Sequence, residues 1–369
     1  MSNINIKISV VIPIYNATEF LRAALDSIIA QTLSEIEIIC VDDGSTDRSL
    51  DIIKEYQQKD ERVRIVTETN AGPALARNNG LRRVRGEYVA FIDADDFIEP
   101  TMLEDMYNEA KANDLDIVIC DYDIYNNKKS TFMKPSAADH EEIVVAGGVI
   151  SKNDYPDTIF ACTNLSAWNK LFRTSFVTEK NLSFLEEVKM FEDVYFMISA
   201  LSLAERVGKV DKLLMHHRVH GAQSRVKAFR KYYAQVPVIY NSSKEFLMRN
   251  GMYSPLATSF LNISASRCFK IYNVLGSDEK SKFWERLHSE YAEKLGWHNC
   301  SIEDFEDIEV CEFIANIEIY DHKQYKKRCS KGLTLRMDRL ERVKKGAKRR
   351  NRMRAFFAKI FKRKKTENK

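Results

Sequence analysis

The chain is short of the residues that mark several common nucleotide sites. Its 13 glycines in 369 residues form neither a G-x-G-x-x-G nor a G-x-x-x-x-G-K-[ST] pattern, which argues against dinucleotide binding and P-loop chemistry. Residues 10–20 also lack the glycine- and lysine-rich phosphate loop that a nucleotidyltransferase would want. The seven cysteines, at 40, 120, 162, 268, 300, 311 and 329, are odd in number and contain no C-x-x-C pair. That distribution suits reduced thiols and disfavours a disulfide framework or a zinc site. No apolar run approaches the ~18 residues of a membrane span, and no charged segment followed by an apolar one reads as a signal peptide. A cytoplasmic protein is therefore expected. No internal repeat is visible beyond an alternation of strand and helix.

That alternation organises the N-terminal third. Residues 6–15 read as a buried strand, and Phe20, Leu21, Ala24, Leu25, Ile28 and Ile29 then fall at helical spacing. A strand at 35–41 ends in Asp42-Asp43-Gly44-Ser45-Thr46-Asp47, and Leu50, Ile52, Ile53 and Tyr56 suggest a second helix capped by Ser45 or Thr46. A third strand at 62–67 leads to Asn70-Ala71-Gly72-Pro73 and an Ala-rich helix, and a fourth lies at 88–92. Such βα units predict a parallel sheet covered on both faces, with ligands outside the carboxyl ends of the strands. With 44% hydrophobic residues, the chain can bury an α/β core of ~220 residues and leave a sizeable second region.

Chemistry concentrates at those strand ends. The strand in residues 86–96 delivers Asp93, Asp95 and Asp96 together. Carboxylates this close repel one another, and a divalent cation shared with a phosphorylated ligand relieves the repulsion. A helix N-cap accounts for one of the three, Asp96. Asp42 and Asp43 can accept hydrogen bonds from a base N–H and ribose hydroxyls, while Gly44 permits a tight turn beneath them. Arg77 can meet a phosphate or the acid cluster, or serve in a structural ion pair.

Four segments, in order, resemble those of the family 2 glycosyltransferases, which carry the GT-A type nucleotide-sugar-binding fold. Val11-Ile12-Pro13-Ile14-Tyr15-Asn16 resembles the opening strand of that family, and Val41-Asp42-Asp43-Gly44-Ser45-Thr46-Asp47 its nucleotide-binding turn. Asn70-Ala71-Gly72-Pro73-Ala74-Leu75-Ala76-Arg77-Asn78 resembles its glycine–arginine segment, and Phe91-Ile92-Asp93-Ala94-Asp95-Asp96 its D-x-D metal motif. The resemblance implies a Rossmann-like, mostly parallel sheet flanked by helices. It places Pro13, Tyr15, Asp42, Asp43, Ser45, Asn70, Gly72, Arg77 and Asp93 in the nucleotide-sugar site and gives Asp95 to the metal. Hard oxygen ligands on a diphosphate favour Mg²⁺ or Mn²⁺ over zinc. Asp96, on this reading, caps the next helix.

Three sparser elements follow. Trp168-Asn169-Lys170-Leu171-Phe172-Arg173 resembles a segment that places Trp168 beside the donor sugar or acceptor, and Met190-Phe191-Glu192-Asp193-Val194-Tyr195-Phe196 resembles the Glu-Asp motif of the family. By that resemblance Asp193, with Glu192, is catalytic, and Asp193 is the general base of an inverting displacement. A polar helix start is the plainer account of this pair. Trp168 and Phe191 offer apolar surface that would raise the pKa of a neighbouring carboxylate. Residues 216–224 resemble the Arg-x-His-x-x-x-Ser end of the catalytic domain, which makes His220 a metal ligand or pyrophosphate donor, or simply a hydrogen-bonding residue. His216 and His217 depart from the aromatic pair common in relatives.

Charge is uneven. Residues 323–369 hold 21 Lys and Arg against three acids, a net +18 that leaves −14 on the preceding 322 residues of a chain whose total is +4. Met353, Phe356, Phe357, Ile360 and Phe361 form an apolar stripe in this basic tail. An anionic membrane surface is the favoured partner, with a solvated tail or nucleic-acid contact as alternatives; no nucleic acid is expected. The expected organisation is a catalytic domain over 1–225, a helical region over 226–322 in which no chemistry is evident, and a basic amphipathic tail over 323–369. The expected activity is transfer of a hexose or N-acetylhexosamine from a nucleoside-diphosphate sugar, UDP-linked by preference, to a hydroxyl of a growing surface polysaccharide or lipid-linked oligosaccharide. The enzyme would sit peripherally on the inner face of the cytoplasmic membrane. Transfer to polyprenyl phosphate, or a non-catalytic nucleotide-sugar-binding scaffold, are the alternatives.

Overall fold

Ile8–Ile14 (β1) is buried along almost its whole length, as expected of a β-branched strand covered on both faces. It pairs in parallel with Ile36–Asp42 (β2) on one side and with Tyr88–Phe91 (β4) on the other, and Val63–Thr67 (β3) extends the sheet beyond β2. The chain therefore winds outward from β1 through β2 to β3, then returns to the opposite side of β1 at β4. That reversal opens a crevice at the carboxyl ends of β1, β2 and β4, the usual ligand position in such sheets. A computed structural model describes residues 5–135, 148–219, 227, 229–300 and 305–329.

The helices of the first half cover this sheet with apolar faces. Leu21–Ile29 (α1) buries Leu21, Ala24, Leu25 and Ile28, at the i, i+3, i+4, i+7 spacing of one helix face. Ser49–Lys59 (α2) buries Ile52, Ile53 and Tyr56. Pro73–Leu81 (α3) starts with proline in its first turn, where a missing N–H costs nothing. Met102–Ala112 (α4) buries Met102, Leu103, Met106 and Ala110. Each fully buried Leu, Ile or Met contributes about 1.5–3 kcal/mol relative to exposure.

Beyond β4 the sheet becomes mixed. Its order is β3-β2-β1-β4-β8-β6-β9-β5, where β5 is Phe97–Ile98, β6 Ile117–Asn126, β8 Lys170–Arg173 and β9 Val207–Val219; β7, Thr131–Met133, pairs with the end of β6. β8 runs antiparallel between β4 and β6, while β9 runs parallel to β6 and then receives β5 antiparallel. Thr174–Glu179 (α5) and Glu192–Leu203 (α6) lie between β8 and β9 in sequence. Phe91, Phe172, Phe184 and Phe196 fill the space between this part of the sheet and α6, with Phe184 and Phe196 stacked at 4.3 Å.

The chain divides into two compact units, one ending at Ile263 and the other beginning at Ser264. The first closes with Val236–Arg249 (α7) and the start of Ala257–Val274 (α8). The second holds the rest of α8, Ser277–Arg286 (α9), which runs through a π turn into Ala292–Leu295 (α10), then Ile308–Ile319 (α11) and His322–Cys329 (α12). Its core is aromatic: Trp284 stacks on Tyr325 at 4.1 Å and meets Phe313 edge-on. Among the described residues no helix is long and apolar enough to cross a membrane. The apolar stripe of the basic tail lies outside the described residues.

Candidate functional site

The crevice begins with the turn after β2. Asp42 and Asp43 are both buried. Asp42 keeps one carboxylate oxygen, Oδ1, without a hydrogen-bond partner among the described residues, and the neighbouring Glu68 just past β3 keeps its Oε1 in the same state. Buried, unsatisfied acceptors of this kind are costly unless a ligand N–H or O–H meets them. Burial, reinforced by the Asp43 charge, raises the Glu68 pKa above the usual carboxylate value.

Asp43 has different work. Its oxygens accept the Ala71 N–H at 2.7 Å, the Gly72 N–H at 2.9 Å and the Asn70 side-chain amide at 3.3 Å. The carboxylate expected on the nucleotide thus holds the loop that Asn70 and Gly72 belong to. Gly44 sits at φ 68, and a Cβ there would lie 2.8 Å from the Asn70 backbone nitrogen, so the turn and the loop approach closely enough to require glycine. Gly72, at φ 108, faces Lys189, whose ammonium donates to the Ala71 carbonyl. Ser45 and Thr46 do not cap α2. The Ser45 hydroxyl accepts the Asn16 N–H, Thr46 donates its N–H to the Asn16 side chain, and Asp47 receives the Ser49 N–H instead. Asn16, at φ 50, folds the end of β1 over this turn. Pro13 lies within β1 opposite Val41, and Tyr15 just beyond it is 52% exposed.

At the end of β4 the acids separate into roles. Arg77 is buried, donates from Nη2 to Asp93 at 2.5 Å and from Nη1 to Glu192, and lies 5.4 Å over the Phe184 ring. Burial opposes its charge, but Asp93, Glu192 and Asp193 together raise the Arg77 pKa above its ordinary value. One guanidinium therefore binds the acid cluster to the first turn of α6, where Glu192 and Asp193 stand. Phe191, immediately before them, takes a left-handed conformation at φ 64 and stacks on Phe229.

Asp96 is fully buried and caps no helix, because α4 starts only at Met102. Its Oδ1 accepts the Arg218 N–H at 2.7 Å, and its Oδ2 lies 3.2 Å from His217 Nδ1. Burial pushes its pKa up to about 6, with the His217 charge opposing. His217 stacks on Trp168 at 5.1 Å with rings nearly parallel, and Tyr122 meets Trp168 edge-on at 4.6 Å. The Trp168 indole is thereby mostly packed. His216 stacks on Phe97 and lies 2.8 Å from Asp123 and 2.9 Å from Glu99. The two histidines thus supply ring packing and hydrogen bonds together where an aromatic pair would supply packing alone.

The structure brings Asp42, Asp43, Ser45, Asn70 and Gly72 together at one side of the crevice, and Arg77, Asp93, Glu192 and Asp193 at the other. His220 lies outside the described residues. Among the described residues no group of three or more His, Cys, Asp or Glu converges as a metal-binding set. Glu68 has no sequence signal beyond its place just past the β3 strand. His217 and Arg218 lie within the matched 216–224 segment, where their sequence gives no sign that both reach Asp96.

A sheet reversing at β1, with acids at the carboxyl ends of β2 and β4, is a Rossmann-like architecture that lacks the glycine-rich phosphate loops of dehydrogenases and P-loop proteins. The sequence profile described as Glycosyl transferase family 2 matches residues 9–176. The putative glycosyltransferase EpsH of Bacillus subtilis is 31% identical over 288 residues, 76% of this chain and 81% of that protein. The uncharacterized glycosyltransferase EpsJ of the same organism is 34% identical over 215 residues, 57% of this chain and 60% of its own length. The crystal structure of S. aureus TarS 1-349 in complex with UDP-GlcNAc has the same fold, with a TM-score of 0.68 at 21% identity over 88% of this chain and 92% of that one. This chain belongs to glycosyltransferase family 2, and it is a glycosyltransferase.

Proposed function

We propose that the protein is an inverting glycosyltransferase that moves a hexose or N-acetylhexosamine from a UDP-linked sugar to a hydroxyl of a growing surface polysaccharide or lipid-linked oligosaccharide. One observation carries the reading: Arg77 joins Asp93, on the leaving-group side, to Glu192, next to Asp193, so both ends of a displacement share one buried cation. The UDP-GlcNAc complex of the similarly folded TarS 1-349 supports a UDP-linked donor.

On this reading the residues take the following roles. Asp42, with its unpartnered oxygen, takes a base N–H, and Glu68 a neighbouring N–H or hydroxyl. Asn70 and Gly72, held by Asp43, form the floor under the ribose and diphosphate, with Pro13, Tyr15 and Ser45 at its edge and Trp168 behind the sugar. The acceptor oxygen attacks the anomeric carbon as the bond to the diphosphate oxygen breaks, with inversion. Asp193 takes the acceptor proton, a role worth about 10²–10⁴ in rate. Glu192 serves by fixing Arg77.

The donor set at the end of β4 fits Mg²⁺ or Mn²⁺, which bind through one or two carboxylates plus substrate phosphates rather than in closed protein cages. Asp95 would hold the ion, with Asp93 partly committed to Arg77, and His220 is assigned a supporting place. When bound, such a cation neutralises charge on the departing diphosphate. The transfer chemistry is assigned to residues 1–225, and residues 323–369 to an anionic membrane surface on the cytoplasmic side. Calorimetry with UDP, GDP and dTDP, with and without Mn²⁺, tests the donor assignment. Binding of UDP that Asp42→Ala weakens is the expected result, and equal binding of all three by both proteins would sink it.

A further inference from the structure

We propose that Arg218 is a positioning residue for Asp95: a clamp between β9 and the acid turn that fixes the Asp95 peptide, and through it the direction of the Asp95 carboxylate. The inference rests on the reading of Asp95 as the residue that meets the donor diphosphate and its cation. It gives a part to Arg218, the arginine of the matched 216–224 segment, and to the rings that surround it.

The turn from Asp93 to Asp96 has little internal structure to hold it. Within it the Asp96 N–H reaches the Asp93 carbonyl at 3.1 Å. Arg77 holds the turn's first residue, Asp93, and its far end is held from β9, 122 residues away in sequence. Arg218 Nε donates to the Asp95 carbonyl at 2.7 Å, and the Arg218 backbone N–H donates to the buried Asp96 carboxylate at 2.7 Å. One residue therefore grips two consecutive residues of the turn, from its side chain and its main chain. His217 adds a third contact, to Asp96 Oδ2.

The guanidinium is itself immobilised. Its Nη1 donates to the Asn127 side chain at 2.9 Å, and its Cζ lies 5.1 Å from the ring centroids of each of Phe20, Phe97 and Tyr125. Three rings from three parts of the fold, the loop before α1, β5 and β6, converge on this one side chain. Cation–π contacts of this kind favour arginine over lysine, because the planar guanidinium stacks while its Nε–H keeps a fixed direction. A surface arginine in a simple ion pair would need none of this. The cage holds a rigid donor at the Asp95 carbonyl, as outer partners of metal ligands commonly do, and loss of such a partner typically costs about 10–100-fold in metal affinity.

Mn²⁺ binding in the presence of UDP, read from the electron paramagnetic resonance of free Mn²⁺, tests the clamp without relying on turnover. Arg218→Lys keeps the charge but loses Nε and the planar stack. The expected result is an increase of about tenfold in the Mn²⁺ dissociation constant, with the melting temperature close to that of the parent. Phe20→Leu removes one cage wall and no polar contact, so a smaller shift in the same direction is expected; it carries the test should Arg218→Lys not fold. In Arg218→Ala, added methylguanidinium should restore part of the affinity, which a purely structural role would not allow. Mn²⁺ affinity within twofold of the parent in folded Arg218→Lys or Phe20→Leu overturns the clamp. Asp95→Ala separates the two claims. If it loses Mn²⁺ while the Arg218 and Phe20 variants do not, the clamp alone fails; if it binds like the parent, the metal reading of Asp95 fails and the clamp falls with it.

Discussion

Removing the Arg77 guanidinium should destabilise the first unit far more than an average substitution, and the size of the loss can be worked from its surroundings. Arg77→Met leaves Glu192, whose side chain is 8% exposed, and Asp93, at 25%, without their cation. Breaking a buried ion pair from one side costs about 3–5 kcal/mol, because a charge is left without compensation. Methionine refills most of the volume over Phe184, so little is added for packing. At about 2–4 °C per kcal/mol for a unit of this size, the melting temperature should fall by about 6–20 °C. Thermal unfolding followed by near-ultraviolet circular dichroism measures it.

The cost comes from stranded charge, so Arg77→Met combined with Asp93→Asn and Glu192→Gln should recover more than half of the loss. A fall of less than about 2 °C, or a triple variant no more stable than Arg77→Met, would refute the reasoning.

Asp43→Ala strips three donors of their acceptor; a loss of about 2–4 kcal/mol is expected from charged hydrogen bonds of this kind, and the donor KM should rise as the 70–72 loop loosens. Gly44→Ala forces an L side chain into a left-handed turn at about 1–2 kcal/mol and drives its Cβ against Asn70, so calorimetry should show weaker nucleotide binding in a protein that still folds. Asp47 sits at about 2: burial opposes, but donors from Ser49 and Thr18 outweigh it. A depressed carboxylate pKa contributes stability that is present above the unfolded value and lost as pH falls toward the folded one. Wild-type melting should therefore drop more steeply between pH 4 and pH 2 than that of Asp47→Asn.

The first four strands and three helices were legible because each carries its own periodicity and ends in a turn signal. Ile36–Asp42 and Tyr88–Phe91 fall within a residue of where the apolar runs placed them. The acids at their ends were legible as well, since strand ends in a parallel sheet are where ligands bind. Partners were not. Arg77 reaches Glu192 across 115 residues, and nothing local in either segment specifies the other. Asp43 reads like Asp42 in sequence, yet one faces an unpartnered space and the other is consumed by the 70–72 loop, because a pleated strand directs consecutive side chains apart. The capping of α2 was misassigned for a related reason: Ser45 and Thr46 are good capping residues, but the pairing of β1 with β2 brings Asn16 within reach first. Asp96 reads as a cap in sequence because an apolar run follows it, but a two-residue strand intervenes and its carboxylate meets β9.

The most direct test of the account is donor turnover. Purified protein is incubated with UDP-, GDP- and dTDP-sugars and Mn²⁺ or Mg²⁺, and slow nucleotide release is compared with that of Asp95→Ala, and with Asp193→Asn once an acceptor is supplied. The account predicts release from a UDP-sugar that vanishes in Asp95→Ala, and transfer to the acceptor that Asp193→Asn cripples while donor binding persists. No release from any donor, or release that neither metal nor Asp95 affects, would contradict it.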